Sequence, residues 1–511
     1  MSKKVKRGFF GYLMIFLGIA LACLAVCVVV MIFNPGLQVF GISYFSEKEE
    51  FQVVDVDLYR NNEAVLDEEG KVKTVNIYDV DTNGNVTVLD YETIEINSNV
   101  YDVEFYIHPE TDAPGFENVT NILVKSDVNG FTKEGTRKLS ASYKYFEDTK
   151  VLQINIETPI GFVNFSNASK IRVEIPSQTL FGNKVNIKAN TQSGDITLGG
   201  VGTGATVLKA ESINLTTTSG NITTTENFNL SNALLDSSIK TDSGNVNFTR
   251  PIICKNFNLT TKTGEMRFEN EHFSVLGEFN FTAENSFLHL NNLTASKINF
   301  ASVSGKIYAK TLTGAVDFTT ETENCHFQVE TINGPLIVGK LNEDKISTRT
   351  KVEISNCVSG ICNIFTLGEV NIGEIKSATI IRGKDANITI KKVSGDLILD
   401  SENSKITLGK ITDENGNFLT AGVENKINVN CTNNADVELY FKTVISGSTV
   451  TTKKGNIYAD LSTSLSGGTI TATGKKVVLN GEEKESPLTH NNNGTQTITL
   501  TSEETVEIIT A

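Results

Sequence analysis

The octapeptide TDSGNVNF, Thr241–Phe248, recurs along this chain in six near-copies. The copies are TQSGDITL (Thr191–Leu198), TTSGNITT (Thr217–Thr224), TKTGEMRF (Thr261–Phe268), SVSGKIYA (Ser302–Ala309), TLTGAVDF (Thr311–Phe318) and KVSGDLIL (Lys392–Leu399). The motif glycines stand at 194, 220, 244, 264, 305, 314 and 334, and Asn285 lies near the place where one copy is missing. With Asn285 counted, successive positions are 26, 24, 20, 21, 20, 9 and 20 residues apart. A quasi-period of 20 to 26 residues, interrupted once, is typical of a solenoid built from stacked repeats.

Apolar and polar residues alternate on both sides of the motif, which predicts a strand, a corner and a second strand in each repeat. In the first copy, the alternating apolar residues are Val185, Ile187, Ala189, Ile196 and Leu198. Glycine suits the corner because it adopts a positive φ without steric cost. We therefore expect a parallel β-helix. A meander of hairpins is the alternative, but hairpins would place a turn every 8 to 12 residues or so, and only the interval from 305 to 314 is that short.

The composition is that of an ordered, strand-rich protein. The chain has 511 residues, 39% hydrophobic and 21% charged, with 40 Gly, 8 Pro and no Trp. Many glycines and few prolines favour strands joined by turns over a helical bundle. The formal net charge of −15 would repel phosphate backbones, so we expect no nucleic-acid partner.

The N-terminus carries the one strong helical signal. An uncharged, mostly apolar run, Phe9–Phe33, follows four basic residues, Lys3, Lys4, Lys6 and Arg7. About 25 residues of helix span the hydrocarbon core of a bilayer with some tilt. The basic residues predict that the short end stays in the cytoplasm. We therefore expect a single-pass signal-anchor in the cell membrane with the rest of the chain outside the cell.

Two other interpretations of this segment stay open. A cleaved signal peptide could end at Ala20–Ala22, although the apolar sequence continues well beyond that point. Lipidation at Cys23 is a further alternative, but the residues before Cys23 and Cys27 fit a lipoprotein site poorly.

The predicted organisation has five parts. Residues 1–8 form a cytoplasmic tail, 9–33 the transmembrane helix and 34–50 a linker. Residues 51–185 form a β-rich region that supplies a cap and the first coils, and 186–511 form the β-solenoid with a C-terminal cap. A cap is expected because an uncovered solenoid end exposes strand edges that promote aggregation.

The sequence resembles the bacterial "putative adhesin" family of β-helical domains of unknown function. An apolar strand that ends in Pro, Ile171–Pro176, leads into Val185–Thr191 and then into the first Ser-Gly-Asp-Ile, Ser193–Ile196. The resemblance extends over roughly Glu95–Leu500, and the copies after Gly334 are irregular. It implies an all-β fold, a right-handed parallel β-helix that is often tethered to the membrane.

The carboxylates near the corners are the residues that could catalyse a reaction in a β-helix enzyme. Asp195, Glu265, Asp317 and Asp396 follow corner glycines, but equivalent places hold Asn221, Asn245, Lys306 and Pro335. Alternation among turn-forming residues favours a corner role over a catalytic ladder. Several phenylalanines have inward parity and predict core positions instead of sugar-binding platforms: Phe248, Phe257, Phe268 and Phe318.

Metal and cofactor sites are not predicted. The histidines are scattered: His108, His272, His289, His326 and His490. The pair Cys325-His326 lacks the spaced partners of a zinc site. Cys362 occupies the place that Ile196, Ile222 and Val246 hold in their repeats, which predicts a core thiol. The loop Asp79–Asn85 resembles the opening of an EF-hand but lacks the distal Glu, so weak calcium binding is a minor alternative.

The function predicted from these observations is non-enzymatic. We expect a membrane-anchored cell-surface protein whose β-helix acts as a stalk or as an interaction surface for surface proteins or glycans. Exposed Thr, Asn and Ser on flat faces would offer many weak polar contacts. A polysaccharide-acting β-helix enzyme of the cell envelope is the alternative, and a deep groove with two carboxylates on adjacent coils would favour it.

Overall fold

The computed structural model describes residues 9–33, 38–39, 42–43, 45–83, 86–107, 119–130, 140–157, 165–166, 169–175, 185–199, 207–225, 228–319, 324–342, 345–346, 348–464, 467–492 and 494–510. It contains two compact units, residues 1–208 and residues 209–511. His108 and the end of the predicted calcium loop, Gly84–Asn85, lie outside the described residues.

One helix, α1, spans Phe9–Phe33, the bounds that the apolar run predicts. Its side chains are described without interruption from residue 16 to residue 30. Among the described residues, no helix is both long and apolar enough to cross a membrane. Apart from α1, the regular structure in the described part of the chain is β-strand, as predicted.

The strands of the first unit are β1 Gln38–Val39, β2 Ile42–Ser43, β3 Phe45–Val53, β4 Asp55–Arg60, β5 Glu63–Ala64, β6 Thr74–Asn76, β7 Tyr78–Val80, β8 Val86–Val88, β9 Thr93–Ser98, β10 Asp102–Ile107, β11 Asn121–Gly130, β12 Ser140–Phe146, β13 Val151–Glu157, β14 Phe165–Ser166, β15 Lys170–Ile175, β16 Val185–Thr191 and β17 Ile196–Leu198.

Coils in the first unit do not stack in chain order. Strand β9 pairs in parallel with both β13 and β16, and β10 pairs in parallel with both β15 and β17. The coil β9–β10 therefore lies between a later coil, β13–β15, and the coil β16–β17. On the other edge of the later coil, β12 and β11 pair antiparallel with β13 and β15. Antiparallel strands thus cover the parallel edges of this coil.

The strands of the second unit are β18 Leu208–Thr217, β19 Ile222–Thr224, β20 Phe228–Asn232, β21 Ser237–Thr241, β22 Val246–Phe248, β23 Ile252–Cys254, β24 Phe257–Phe268, β25 Phe273–Phe318, β26 Asn324–Asn333, β27 Leu336–Val338, β28 Leu341–Asn342, β29 Lys345–Ile346, β30 Lys351–Ser359, β31 Cys362–Thr366, β32 Val370–Ile375, β33 Thr379–Lys384, β34 Ile388–Val393, β35 Leu397–Glu402, β36 Ile406–Leu408, β37 Lys410–Thr412, β38 Phe418–Ala421, β39 Ile427–Cys431, β40 Val437–Tyr440, β41 Ser448–Thr452, β42 Ile457–Asp460, β43 Gly468–Thr473, β44 Lys476–Leu479, β45 Glu482–Lys484, β46 Leu488–Asn492, β47 Gln496–Ser502 and β48 Thr505–Ile509.

Each coil of the second unit has three faces. We name them from the coil 237–254: face 1 is the column of strands stacked on β21, face 2 the column on β22 and face 3 the column on β23. Each of these strands pairs in parallel with the equivalent strand of the next coil, in β24 or β25. Corner A joins face 1 to face 2, corner B joins face 2 to face 3, and corner C joins face 3 to face 1. This parallel stacking confirms the predicted solenoid and excludes the hairpin meander for these coils.

Stacked side chains fill the core of the second unit. Phe248, Phe257, Phe268 and Phe318 are fully buried, as their parity predicts. The rings stack from coil to coil: the centroids of Phe248 and Phe268 are 5.5 Å apart, and those of Phe257 and Phe279 are 6.1 Å apart. Burying such rings is the main favourable term in the stability of the coils.

The repeated Ser-Gly motif occupies two different corners. Gly244, Gly264 and Gly305 lie in corner A, whereas Gly314 and Gly334 lie in corner C. Gly305 and Gly314 therefore lie in two corners of the same coil, which explains the short interval between them. The missing copy is also explained, because Ser286 pairs with Gly264 in the place of a glycine.

The predicted reason for the glycine of TDSGNVNF is wrong. Gly244 lies outside the left-handed region, although Gly264 and Gly305 have φ of 127° and 109°. A Cβ on Gly244 would lie 1.8 Å from the carbonyl oxygen of Gly220 in the preceding coil. The close approach of two backbones, and not a positive φ, requires glycine there.

Two hairpins interrupt the coils after Gly334. The antiparallel pair β28–β29 projects from corner A, and the pair β37–β38 projects from corner B. Between them the coils are regular, since Val370, Ile388 and Ile406 stack in register, one in each successive coil. Insertion, and not loss of the coil, explains the irregular spacing in the sequence.

The last coil of the chain is inserted between two earlier ones. Strand β47 pairs in parallel with β41 on one side and with β43 on the other, and β48 lies likewise between β42 and β44. The other edges of β43 and β44 are covered by the antiparallel strands β46 and β45. In each unit, therefore, one coil lies between two others out of chain order, and antiparallel strands cover an outer edge.

Candidate functional site

A groove of about 730 Å³ runs along corner A of the second unit. Strands β31, β33, β35 and β39 bring the ends of four successive face-1 strands to one side of the groove. The hairpin β28–β29 contributes Ile346. The lining residues are Ile346, Leu367, Arg382, Gly383, Lys384, Asp385, Asp400, Ser401, Glu402, Asn430 and Thr432. The volume is within the range of ligand-binding clefts, roughly 300–1,000 Å³.

Ion pairs between adjacent coils organise the groove wall. Arg382 and Lys384 face outward on β33, and they pair with Asp400 and Glu402 on β35. Arg382 Nε donates to Asp400 Oδ2 at 3.2 Å, and Lys384 Nζ lies 3.1 Å from Glu402 Oε2. The Arg382 guanidinium also lies over the Phe365 ring, 5.9 Å from its centroid. These side chains are partly exposed, so the pairs contribute little to stability.

Every carboxylate among the lining residues has a partner. In addition to the two ion pairs, Asn403 Nδ2 donates to Asp385 Oδ1 at 2.9 Å, and Asn433 Nδ2 donates to Glu402 Oε1 at 2.9 Å. A glycosidase needs one carboxylic acid that keeps its proton and a second free carboxylate. In this groove each carboxylate is instead held by an Arg, Lys or Asn side chain of a neighbouring coil.

Two of the predicted corner residues, Asn221 and Asn245, cap backbone N–H groups with their side chains. Asn221 Oδ1 accepts a hydrogen bond from the N–H of Asn245 at 3.1 Å, and Asn245 Oδ1 accepts one from the N–H of Glu265 at 2.9 Å. In the first unit, the N–H of Asp195 donates to Asp102 Oδ1 at 2.9 Å. Glu265 itself pairs with Arg267. At corner A, the side chains of Asn221 and Asn245 thus each cap a backbone N–H of the next coil.

The four predicted carboxylates do not form one ladder. Asp195 belongs to the first unit, and Glu265 follows corner A of the second unit. Asp317 lies on face 1, where its Oδ1 accepts a hydrogen bond from the N–H of Thr319 at 3.2 Å. Asp396 lies in corner C, beside Leu397. None of the four lines the groove.

The five cysteines of the second unit are buried inside its coils: Cys254, Cys325, Cys357, Cys362 and Cys431. Cys362 is fully buried, as predicted, but it is stacked on Leu336 and Thr379 in face 1 and not in the column of Val246. The Ser-Gly motif that precedes Cys362 lies in corner C and not in corner A. This difference explains why the sequence predicted the wrong column for Cys362. Burial raises the pKa of Cys325 to about 12. Its neighbour His326 is paired with Glu353, whose Oε2 lies 2.8 Å from His326 Nε2.

No group of three or more His, Cys, Asp or Glu side chains that could hold a metal ion is found among the described residues. In the described part of the predicted calcium loop, Asp81 Oδ1 accepts a hydrogen bond from the N–H of Asn83 at 2.8 Å. This contact is that of an ordinary Asx turn.

Sequence reasoning missed the groove because a hairpin insertion completes it. One signal was present: Arg382 and Lys384 are followed, one coil later, by Asp400 and Glu402 at the matching positions. In a solenoid whose coils have this length, the spacing places opposite charges side by side on one face. The matching charges predict contacts between coils only when the length of the coils after Gly334 is known.

Comparison with known proteins gives a family match over part of the chain. Residues 91–323 match the family model described as Toastrack DUF4097. The matched stretch includes the Ser-Gly-Asx corners A and ends before the groove. It is shorter than the Glu95–Leu500 over which the motifs predict the resemblance.

A solved structure, described as that of a "putative cell adhesion protein" from Clostridium sporogenes, is similar to this chain at 8% identity. The similarity covers 91% of this chain and 99% of that one, with a TM-score of 0.14, too low to support a conclusion about this protein. The search of curated proteins found no match.

Proposed function

We propose that this protein is a non-enzymatic, membrane-anchored cell-surface protein that binds surface proteins or glycans through its β-helix, with the corner-A groove as the binding site. The observation that carries the proposal is the pairing of Asp385, Asp400 and Glu402, which leaves the groove polar but without a free acid and base. The match of residues 91–323 to the Toastrack DUF4097 model supports a β-helical surface domain.

The outer row of face 1 supports a display role. Asn280 Nδ2 donates to Asn258 Oδ1 at 3.0 Å, and Asn299 Nδ2 donates to Asn280 Oδ1 at 2.6 Å. These amides stand at coil spacing on a flat face. Repeated identical groups allow many weak contacts to act together on a repetitive ligand.

Membrane attachment through residues 9–33 is part of the proposal. Support comes from the uncharged apolar sequence of α1 and from the four basic residues that precede it. In this arrangement the N-terminus is cytoplasmic and the β-helix is extracellular. We also propose that the coils wind right-handed, as crossovers between parallel strands of one sheet nearly always do.

The binding proposal is tested with full-length protein in detergent on arrays of glycans and of surface proteins. The double variant Arg382→Ala/Asp400→Asn should no longer bind a ligand that the arrays identify for the wild type. The matched control is Lys262→Ala/Asp242→Asn, which removes an exposed corner ion pair with a 2.6 Å separation outside the groove. Equal binding by the groove variant and the control would show that the groove is not the site.

The enzyme alternative is separated from binding by following the ligand over time. The proposal expects a bound glycan to be recovered intact after prolonged incubation. Cleavage that is lost in Asp400→Asn or Glu402→Gln would establish the enzyme and overturn the non-enzymatic function.

Attachment is tested by membrane fractionation of cells that express the full chain or a variant lacking residues 9–33. The full chain should sediment with membranes, resist extraction by carbonate and be cleaved by protease added to intact cells. The deletion variant should not sediment with membranes. Full-length protein in the soluble fraction would contradict the anchor.

A further inference from the structure

Two cysteines meet inside corner C of the coil that begins at Lys351. Cys357 is the last inward residue of β30 on face 3, stacked between Ile332 and Ile375. Cys362 is the first inward residue of β31 on face 1, stacked between Leu336 and Thr379. Both side chains are at most 1% exposed, and they face inward on the two sides of the same corner.

The corner between them is tight. Gly360 turns the chain with φ of 84°, and a Cβ there would lie 2.4 Å from the backbone nitrogen of Pro335 in the preceding coil. The apolar side chains of the corner, Val358 and Ile361, point outward and are 37% and 57% exposed. The turn therefore directs both cysteines to the same point of the core.

We propose that Cys357 and Cys362 form an intramolecular disulfide bond that closes corner C. Other cysteines of the coils do not meet in this way: Cys254, Cys325 and Cys431 are each buried, and each pKa is raised to about 12 because burial disfavours the thiolate. Cys357 differs from these three, because hydrogen bonding with Cys362 in the folded corner lowers its pKa.

The exchange needs an external disulfide, either a small molecule or a disulfide oxidoreductase. The Cys357 thiolate attacks one sulfur of that disulfide and releases the other sulfur as a thiolate. The Cys362 thiolate then attacks the Cys357 sulfur and releases the second. Two protein thiols are oxidised, the external disulfide is reduced to two thiols, and these take up the two protons. Because both cysteines are buried in the folded coil, exchange takes place before this corner has closed.

Formation of this disulfide in cells rests on the extracellular location in the proposed function, because disulfides persist in oxidising compartments. The reaction itself does not depend on that location. The chemistry is tested in the test tube. Full-length protein is unfolded and reduced with dithiothreitol, then refolded in detergent with reduced and oxidised glutathione. Exchange is stopped with acid, and the protein is then transferred to a denaturing buffer at about pH 8, where the thiols react as thiolates, and alkylated with iodoacetamide for mass spectrometry.

We expect alkylation of five of the seven cysteines, and a peptide cross-linked between Cys357 and Cys362, after refolding with glutathione. Protein refolded in dithiothreitol should be alkylated at all seven. The variant Cys254→Ser should keep the cross-link, and Cys362→Ser should lose it. The oxidised wild type should also unfold at a higher temperature than the same sample after reduction.

Seven alkylated cysteines after glutathione refolding, or a cross-link between other cysteines, would overturn the proposal. Protein purified from cells without reductant is alkylated in parallel. Cross-link formation in the test tube but not in cells would contradict the extracellular location, whereas failure in the test tube would contradict the disulfide itself.

Discussion

At the scale of single residues, the repeated motif combines three requirements of one corner. Thr241 is buried, and its hydroxyl accepts a hydrogen bond from the N–H of Gly244 at 2.8 Å. Thr217 makes the same contact with the N–H of Gly220 at 2.9 Å. Gly244 admits the carbonyl of the preceding coil, and Asn245 caps an N–H of the following one. Thr241, Gly244 and Asn245 therefore each satisfy or accommodate a backbone group of the corner.

The substitution Gly244→Ala should lower the free energy of unfolding by about 1–3 kcal/mol, because the new methyl group overlaps the Gly220 carbonyl. The measurement is urea denaturation followed by circular dichroism. Gly481→Ala is the control, since nothing lies within 4 Å of its Cβ position and only its φ of 82° opposes the change. A larger loss in the control than in Gly244→Ala would contradict the close-approach explanation.

Glu353 should make stability depend on acid pH. Hydrogen bonding from Lys351, together with His326, lowers the pKa of Glu353 below its ordinary value of 4.5. Its contribution to stability is therefore fully present above pH 4.5 and is lost as the pH falls through the lowered pKa. The difference in unfolding midpoint between wild type and Glu353→Gln should accordingly shrink from pH 7 to pH 3. A difference that stays constant over this range would count against the interaction.

At the scale of elements, the ends of the coils need strands that are distant in the chain. β47 has parallel partners on both of its edges, and β46 covers the outer edge of β43. Local pattern predicts each of these strands but not their order in space, because alternation reports which side chains face inward and carries no information about the neighbouring strand. The insertion of the final coil is a result of tertiary pairing alone.

Hydrogen exchange should reveal the insertion of β47. The amides of Ile498 and Leu500 should be protected as strongly as that of Val450, because β47 is hydrogen-bonded on both of its edges. Strand β45, whose side chains are exposed, should exchange faster. The measurement is exchange followed by proteolysis and mass spectrometry. Rapid exchange throughout residues 496–509 would contradict the inserted position.

At the scale of the whole molecule, stability comes from contacts between neighbouring coils. In the second unit, Phe300 lies at the centre of one such set, in ring contact with Phe279, Phe281, Phe318 and Phe327. In a solenoid each coil touches only the next ones, so the loss of one such residue weakens two interfaces.

Phe300→Ala should lower the free energy of unfolding by about 3–5 kcal/mol, because it leaves a cavity between coils. The exposed Leu419, at 61%, provides the control Leu419→Ala, for which a change within about 0.5 kcal/mol is expected. Thermal and urea unfolding of both variants decide the matter. Similar losses in the two variants would show that the ring stack is not the core of this unit.

The sequence by itself determined the coil. Alternation, the repeated Thr-x-Ser-Gly and the parity of Phe248 and Phe268 predicted strands, corners and an apolar interior, because these depend on residues close together in the chain. Even there, Gly244 was assigned to a positive φ, since the carbonyl that excludes its Cβ belongs to another coil.

Only the tertiary structure decided which corner each motif occupies, how the final coil inserts and where the groove lies. Arg382 and Asp400 belong to successive coils, and the stacking of β33 on β35 brings them together. The physical reason is the same in each case: backbone hydrogen bonds between strands are identical whatever the side chains, so neighbours are selected by the packing of whole coils.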